Sequence, residues 1–242
     1  MLFNGKDLRS VHPALSIKEE IPPGTAKRQI ITIAGTDGEI VSDVIVERGD
    51  YLVRVNIAGR TREEAWEMRE KIAAWAGGSG TATAELVPTH RPTRCYDAIL
   101  SDISDPQFVR GFATVDVTFA VPRPISRSVA RGASQGAGGM SVRIGGSSPA
   151  RPVIRQTIGT DGAGLTWAMD GKAILTISGS LSAGQVVEMD TRYERLTIDG
   201  ADALARINPQ KTKWRPGYTP GLHVFTATDG GTMEMRWHDE WL

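Results

Sequence analysis

Cysteine is all but missing from this chain: of 242 residues only Cys95 carries a thiol, so no intrachain disulfide can form. That excludes a disulfide-stapled secreted scaffold and favours folding in the cytosol. A lone cysteine is ordinarily a packing residue rather than a nucleophile. Net charge is missing too. The 28 basic and 28 acidic residues cancel, which leaves no broad field to attract nucleic acid or anionic lipid. No run approaches the roughly 20 apolar residues of a membrane-spanning helix. Residues 1–10 lack the basic stretch and apolar run of a signal peptide, so a soluble, unexported product is expected. Histidine is scarce, and no two of His12, His90, His223 and His238 stand at the spacing of a helical metal site. No metal or cofactor is expected.

What the chain does hold is ordinary globular composition, 40% hydrophobic and 23% charged, at a length that accommodates two domains of about 100 residues. A seam divides it. Residues 126–149, SRSVARGASQGAGGMSVRIGGSSP, are rich in Gly and Ser and contain no acid. Such a segment has little apolar surface to bury, so it reads as a linker or a long ordered arm between domains at 1–125 and 150–242. Its glycines lack the strand before and the helix after that a phosphate-cradling loop requires.

The first domain reads as strands around a single helix. Residues 28–34 and 40–46 are β-rich and flank Gly35-Thr36-Asp37-Gly38, a tight-turn signal. Tyr51, Val53, Val55 and Ile57 alternate on one strand face. After Gly59 the period changes: Thr61 and Glu64 form a capping-box pair, and Ala65, Met68, Ile72 and Ala76 follow at helical spacing up to Gly77-Gly78. Residues 81–87, 94–101 and 111–121 predict further strands, the last closed by Pro122 and Pro124. This is an α+β layer with the helix on one sheet face. From residue 152 onward the pattern is strand and turn, with Asp-Gly at 161, 170, 199 and 229, as in an antiparallel β-sandwich.

Chemistry is thin. Asp37, Asp43, Asp190 and Asp199 include no pair that the sequence can place at glycosidase separation, and each sits where aspartate commonly serves a turn. Trp167, Trp214, Tyr218, Trp237 and Trp241 crowd the second domain. Core packing and a sugar-stacking surface both accommodate them, and Trp214 and Tyr218, flanking Arg215-Pro216-Gly217, are the candidates for exposure.

Taken together, Leu2-Phe3-Asn4-Gly5-Lys6-Asp7-Leu8, the strand 28–38 ending in Asp-Gly, Gly59-Arg60-Thr61 opening the helix, Cys95-Tyr96-Asp97-Ala98, the strand Gly111 to Pro122, Leu181 to Asp190, Leu196 to Gly200, Tyr218-Thr219-Pro220-Gly221 and Met233 to Trp237 with Trp241-Leu242 resemble the distal tail proteins of long-tailed, siphovirus-type bacteriophages. The turn carries Thr36 where that family often has Arg, and Leu222-His223 follow Pro-Gly where Asn is frequent. The resemblance implies a mainly β protein. It would have an α+β ring-forming N-terminal domain and a galectin-like or carbohydrate-module-like C-terminal sandwich. It implies a homohexameric ring at the virion tail tip, made in the bacterial host cytoplasm, bridging the tail tube protein and the tail-tip or baseplate hub protein. The tape-measure and receptor-binding proteins are further expected neighbours, and no catalytic residue is implied. Arg127, Arg131 and Arg143 in the seam are then candidates for contact with acidic surface on a neighbouring subunit. The alternative is a carbohydrate-binding adhesin acting through Trp214 and Tyr218.

Overall fold

The computed structural model describes all residues except 14, 25–26, 33–38, 46, 59–60, 78–79, 110 and 215–216, and gives the backbone alone at 27–32, 39–45 and 109. The described chain is mainly β with one α-helix. It divides into two compact units, Met1–Val129 with Leu242, and Ala130–Trp241.

In the first unit an antiparallel sheet runs in the order Lys6–Asp7, Leu2–Phe3, Ala84–Val87, Arg94–Ile103, Phe112–Val121, Gly49–Ile57, Leu15–Ile21. The alternation predicted for residues 51–57 is present: Tyr51, Val53, Val55 and Ile57 are buried. Their strand pairs with Phe112–Val121, in register Val53 to Val117 and Val55 to Val115. The helix spans Arg62–Ala76, and Thr61 Oγ1 accepts the Glu64 amide at 3.2 Å, the predicted cap. Ala65, Ile72, Trp75 and Ala76 face the core, each large side chain contributing about 1.5–3 kcal/mol on burial. Trp75 packs edge-on to Phe3 at 5.9 Å and to Phe119 at 6.3 Å, and its indole N–H donates to the Lys6 carbonyl at 3.1 Å. The edge strand Leu15–Ile21 escaped the sequence reading because a register shift between Ile17 and Glu19 breaks its alternation. Lys27–Thr32 and Glu39–Ile45 form a separate antiparallel pair. The turn expected at Gly35 to Gly38, and the helix-flanking Gly59-Arg60 and Gly78, lie outside the described residues.

In the second unit two antiparallel sheets share one core. One has the order Gly132–Ala137, Thr232–Trp237, Val153–Thr157, Val186–Asp190, Arg195–Ile198, Ala201–Asp202; the other has the order Gly139–Ile144, Gly221–Ala227, Gly162–Met169, Lys172–Leu181. Ile154, Val187, Met233 and Met235 from the first meet Val142, Leu165, Trp167, Leu175 and Phe225 from the second. The Trp167 indole donates to the buried Gln156 side chain, whose amide donates in turn to Asp229. Two of the four Asp-Gly turns read from sequence are of the hairpin kind: Asp170 and Gly171 have φ of 51° and 75°, Asp199 and Gly200 of 51° and 81°. Asp161-Gly162 and Asp229-Gly230 instead join strands of different sheets.

The seam differs from its reading as a linker. Ser126–Ser128 pairs with the strand Arg94–Ile103 in the first unit. Gly132–Ala137 and Gly139–Ile144, joined through Gly138, do not pair with each other but give one edge strand to each sheet of the second unit, against Thr232–Trp237 and Gly221–Ala227. The division between units therefore falls at Val129 and Ala130, and 126–149 is no separate segment. The physical reason is that Met140, Val142 and Ile144 alternate into the core, while several glycines serve close packing rather than flexibility. A methyl group at Gly132 would sit 2.9 Å or less from three indole carbons of Trp237.

Candidate functional site

The residues singled out from sequence do not converge. Arg127 lies in the first unit on Ser126–Ser128, and its guanidinium donates to Glu85 Oε1 at 2.7 Å and Asp97 Oδ1 at 3.1 Å with the side chain only 14% exposed. Burial opposes its charge, but the two carboxylates outweigh burial and hold the guanidinium firmly protonated. Both of these bonds are made within its own subunit. Arg131 donates from Nε to His238 Nε2 at 3.2 Å. Arg143 is exposed on an edge strand opposite Leu222.

Tyr218 is a correction. It is 2% exposed, stacks on Phe225 at 6.4 Å, and leaves its hydroxyl without a hydrogen-bond partner in the core. A ring so placed presents no face to a sugar. Trp214 is part-buried and packs on the same core, and the intervening Arg215-Pro216 lie outside the described residues. Trp167 and Trp237 are buried as well.

Other titratable groups are locked into structure. Burial pushes the Cys95 thiol up to about 11, so it is a protonated packing residue at neutral pH. The Glu20 carboxylate is nearly covered and accepts from the Thr89 amide at 3.0 Å, the Tyr51 hydroxyl at 3.1 Å and His90 Nδ1 at 2.6 Å. Burial raises its pKa, but these donors outweigh burial and hold it below the ordinary carboxylate value. His223 faces acceptors on both ring nitrogens, Asp170 Oδ2 at 2.7 Å and the Thr219 carbonyl at 2.8 Å. Burial works against the imidazolium, yet the two acceptors raise its pKa overall. Both histidine contacts thus fasten loops. Among the described residues, no group of three or more His, Cys, Asp or Glu is placed to hold a metal ion. Among the same residues no helix is long and apolar enough to cross a membrane.

What remains is surface. In the first unit, Trp66 and Phe108 are 42% and 44% exposed, and Phe112 stands on the strand beside Phe108. The Arg69 guanidinium lies 5.5 Å from the Trp66 ring and that of Arg62 5.3 Å from the Phe108 ring. Arg69 is further fixed by donating to the carbonyls of Ile103 and Ser104 at 3.0 Å. Exposed aromatics held by arginine are the residue types that dominate protein interfaces. The sequence reading passed over Trp66, although its position off the stripe of Ala65, Met68, Ile72 and Ala76 was a usable signal.

The whole described chain aligns with the crystal structure of the Dit protein of phage SPP1, described as a paradigm of the hub adsorption apparatus in phages infecting Gram-positive bacteria. The TM-score is 0.81 at 14% identity, over 100% of this chain and 98% of that one. The two chains share one fold. Two structures of the phage P2 baseplate in its activated conformation, one with Ca and one with Sr, align at TM-scores of 0.46 and 0.45 with 9% identity, over 93% of this chain and 90% of each of theirs. No protein-family model matches the sequence and no curated protein sequence matches it. Both units of the SPP1 Dit fold are therefore present here, and the resemblance read from scattered sequence pieces is matched by the architecture.

Proposed function

We propose that this chain is a structural hub of a phage tail tip. In this reading it forms a homohexameric ring that joins the tail tube protein to the tail-tip or baseplate protein. The tape-measure and receptor-binding proteins are its further neighbours in the virion. The observation that carries the reading is the end-to-end fold match to SPP1 Dit. A ring closes through heterologous contacts, so each subunit must offer two different complementary surfaces. The patch of Trp66, Phe108, Arg62 and Arg69 supplies one surface of suitable chemistry. Chemistry enters only as support and recognition, and no residue is assigned a catalytic role.

Light scattering coupled to size exclusion, with negative-stain imaging of the same peak, tests the proposal. A particle of six chains with sixfold views is expected, and Trp66→Ala with Phe108→Ala should shift it toward smaller species. A chain that stays monomeric at every concentration reached, up to millimolar, refutes the ring.

A further inference from the structure

The outer face of the six-stranded sheet carries a depression of about 410 Å³, within the range of ligand pockets. Its floor is Val153, which stands in register between Arg236 and Asp190 on the neighbouring strands. Guanidiniums line it from four places along the chain: Arg131, Arg151, Arg192 and Arg236. Glu188 and Asp190 are the carboxylates of the lining, and Glu234 beside them pairs with Arg236 at 2.6 Å. The lining thus carries four guanidiniums and two carboxylates. At the rim Tyr193 is 71% exposed, with the Arg192 guanidinium 5.5 Å from its ring. The turn that carries both is held by Asp190 Oδ1, which accepts from the amides of Arg192 at 2.8 Å and Tyr193 at 3.3 Å.

We infer that this depression binds an anionic saccharide, a sugar chain bearing carboxylate or phosphate groups. Each part of the lining answers to a part of such a ligand. Guanidiniums present paired donors matched to carboxylate and phosphate oxygens. The open face of Tyr193 stacks on the apolar face of a sugar ring, the arrangement first sought at Trp214 and Tyr218. Glu188 accepts from sugar hydroxyls. That last feature favours a sugar over an acidic peptide, because its hydroxyls donate to Glu188 where ionised peptide side chains only accept. The inference goes beyond the hub reading and stands apart from it, because binding is read on the dissociated chain whether or not rings form.

Calorimetric titration of the full chain with oligogalacturonate, phosphomannan, neutral dextran and poly-L-glutamate tests the assignment. At least one of the two charged glycans should bind, and the tighter of them tells carboxylate from phosphate. Dextran should bind at least tenfold more weakly, and affinity should fall as salt rises. Tyr193→Ala and Arg192→Ala, both in an exposed turn, should each weaken binding tenfold or more, whereas Arg143→Ala on the other sheet leaves it unchanged. If neither charged glycan binds at millimolar concentration, the inference fails. It fails equally if poly-L-glutamate binds as tightly and Tyr193→Ala costs nothing, since the occupant would then be an acidic protein segment.

Discussion

Replacing Gly146 by alanine distinguishes a packed seam from a tether by the sign of the stability change. In a flexible segment the substitution restricts the unfolded chain and stabilises the protein by about 0.4–1 kcal/mol. Here Gly146 has φ of 90°, and a methyl group on it would sit no more than 3.0 Å from the backbone N, C and O of Glu240. The strained backbone alone costs about 1–3 kcal/mol for a non-glycine residue. To relieve the clash the chain must draw away from Glu240, whose carbonyl accepts from the amides of Ser147 at 2.9 Å and Ser148 at 3.0 Å. Weakening those two bonds adds about 1 kcal/mol each. After subtracting the unfolded-state gain, the net loss is about 2–4 kcal/mol, or a melting temperature lower by roughly 5–15 °C. Differential scanning calorimetry and urea titration read it directly. Gly162→Ala serves as the control, since the nearest atom to its added carbon is 3.8 Å away. A Gly146→Ala protein as stable as the parent, or more so, would refute the account of the seam as packed structure.

Two further outcomes follow from the buried ionic contacts. Arg127→Met should destabilise the first unit by about 1–2 kcal/mol in chemical denaturation, because it strips Asp97 and the more exposed Glu85 of their donor; no loss would mean that those carboxylates find other partners at no cost. His223 has a raised folded-state pKa and Asp170 a lowered one, the latter held by the His223 bond and the Val224 amide. The His223 contribution is complete below about pH 6.5 and fades as pH rises through the raised value, while that of Asp170 is lost as pH falls through its depressed value, below about 4. Urea midpoints of parent and His223→Asn should therefore converge as pH rises from 6 to 9, and parallel curves would show that the pair does not act through His223.

What was legible in the sequence was local. The alternation of Tyr51 to Ile57, the Thr61 cap and the Asp170-Gly171 and Asp199-Gly200 turns depend on neighbours a few residues apart, and each stands where the pattern puts it. What was illegible depends on partners far along the chain. Gly132 is small because Trp237 covers it, and the glycines of the seam looked like slack only because Trp237 and Glu240 lie so distant in sequence. Exposure of aromatics failed in both directions for the same reason. Tyr218 beside a Pro-Gly turn is buried against Phe225, whereas Trp66, on a helix that seemed fully accounted for, faces outward. Composition named the residue types of a recognition surface, but only the register of Val153 between Arg236 and Asp190 gathers its parts.

The two strands of residues 132–144 also set an order of events during synthesis. Both wait for partners, Gly221–Ala227 and Thr232–Trp237, that are synthesised long after them. Until then each sheet of the second unit keeps open hydrogen-bonding groups along an edge, and open edges recruit strands from other chains. Closure over so long a loop is slow compared with forming a local hairpin. A chain cut short before residue 221 would leave both strands with nowhere to dock, and strand exchange between nascent copies is the hazard that residues 221–237 remove.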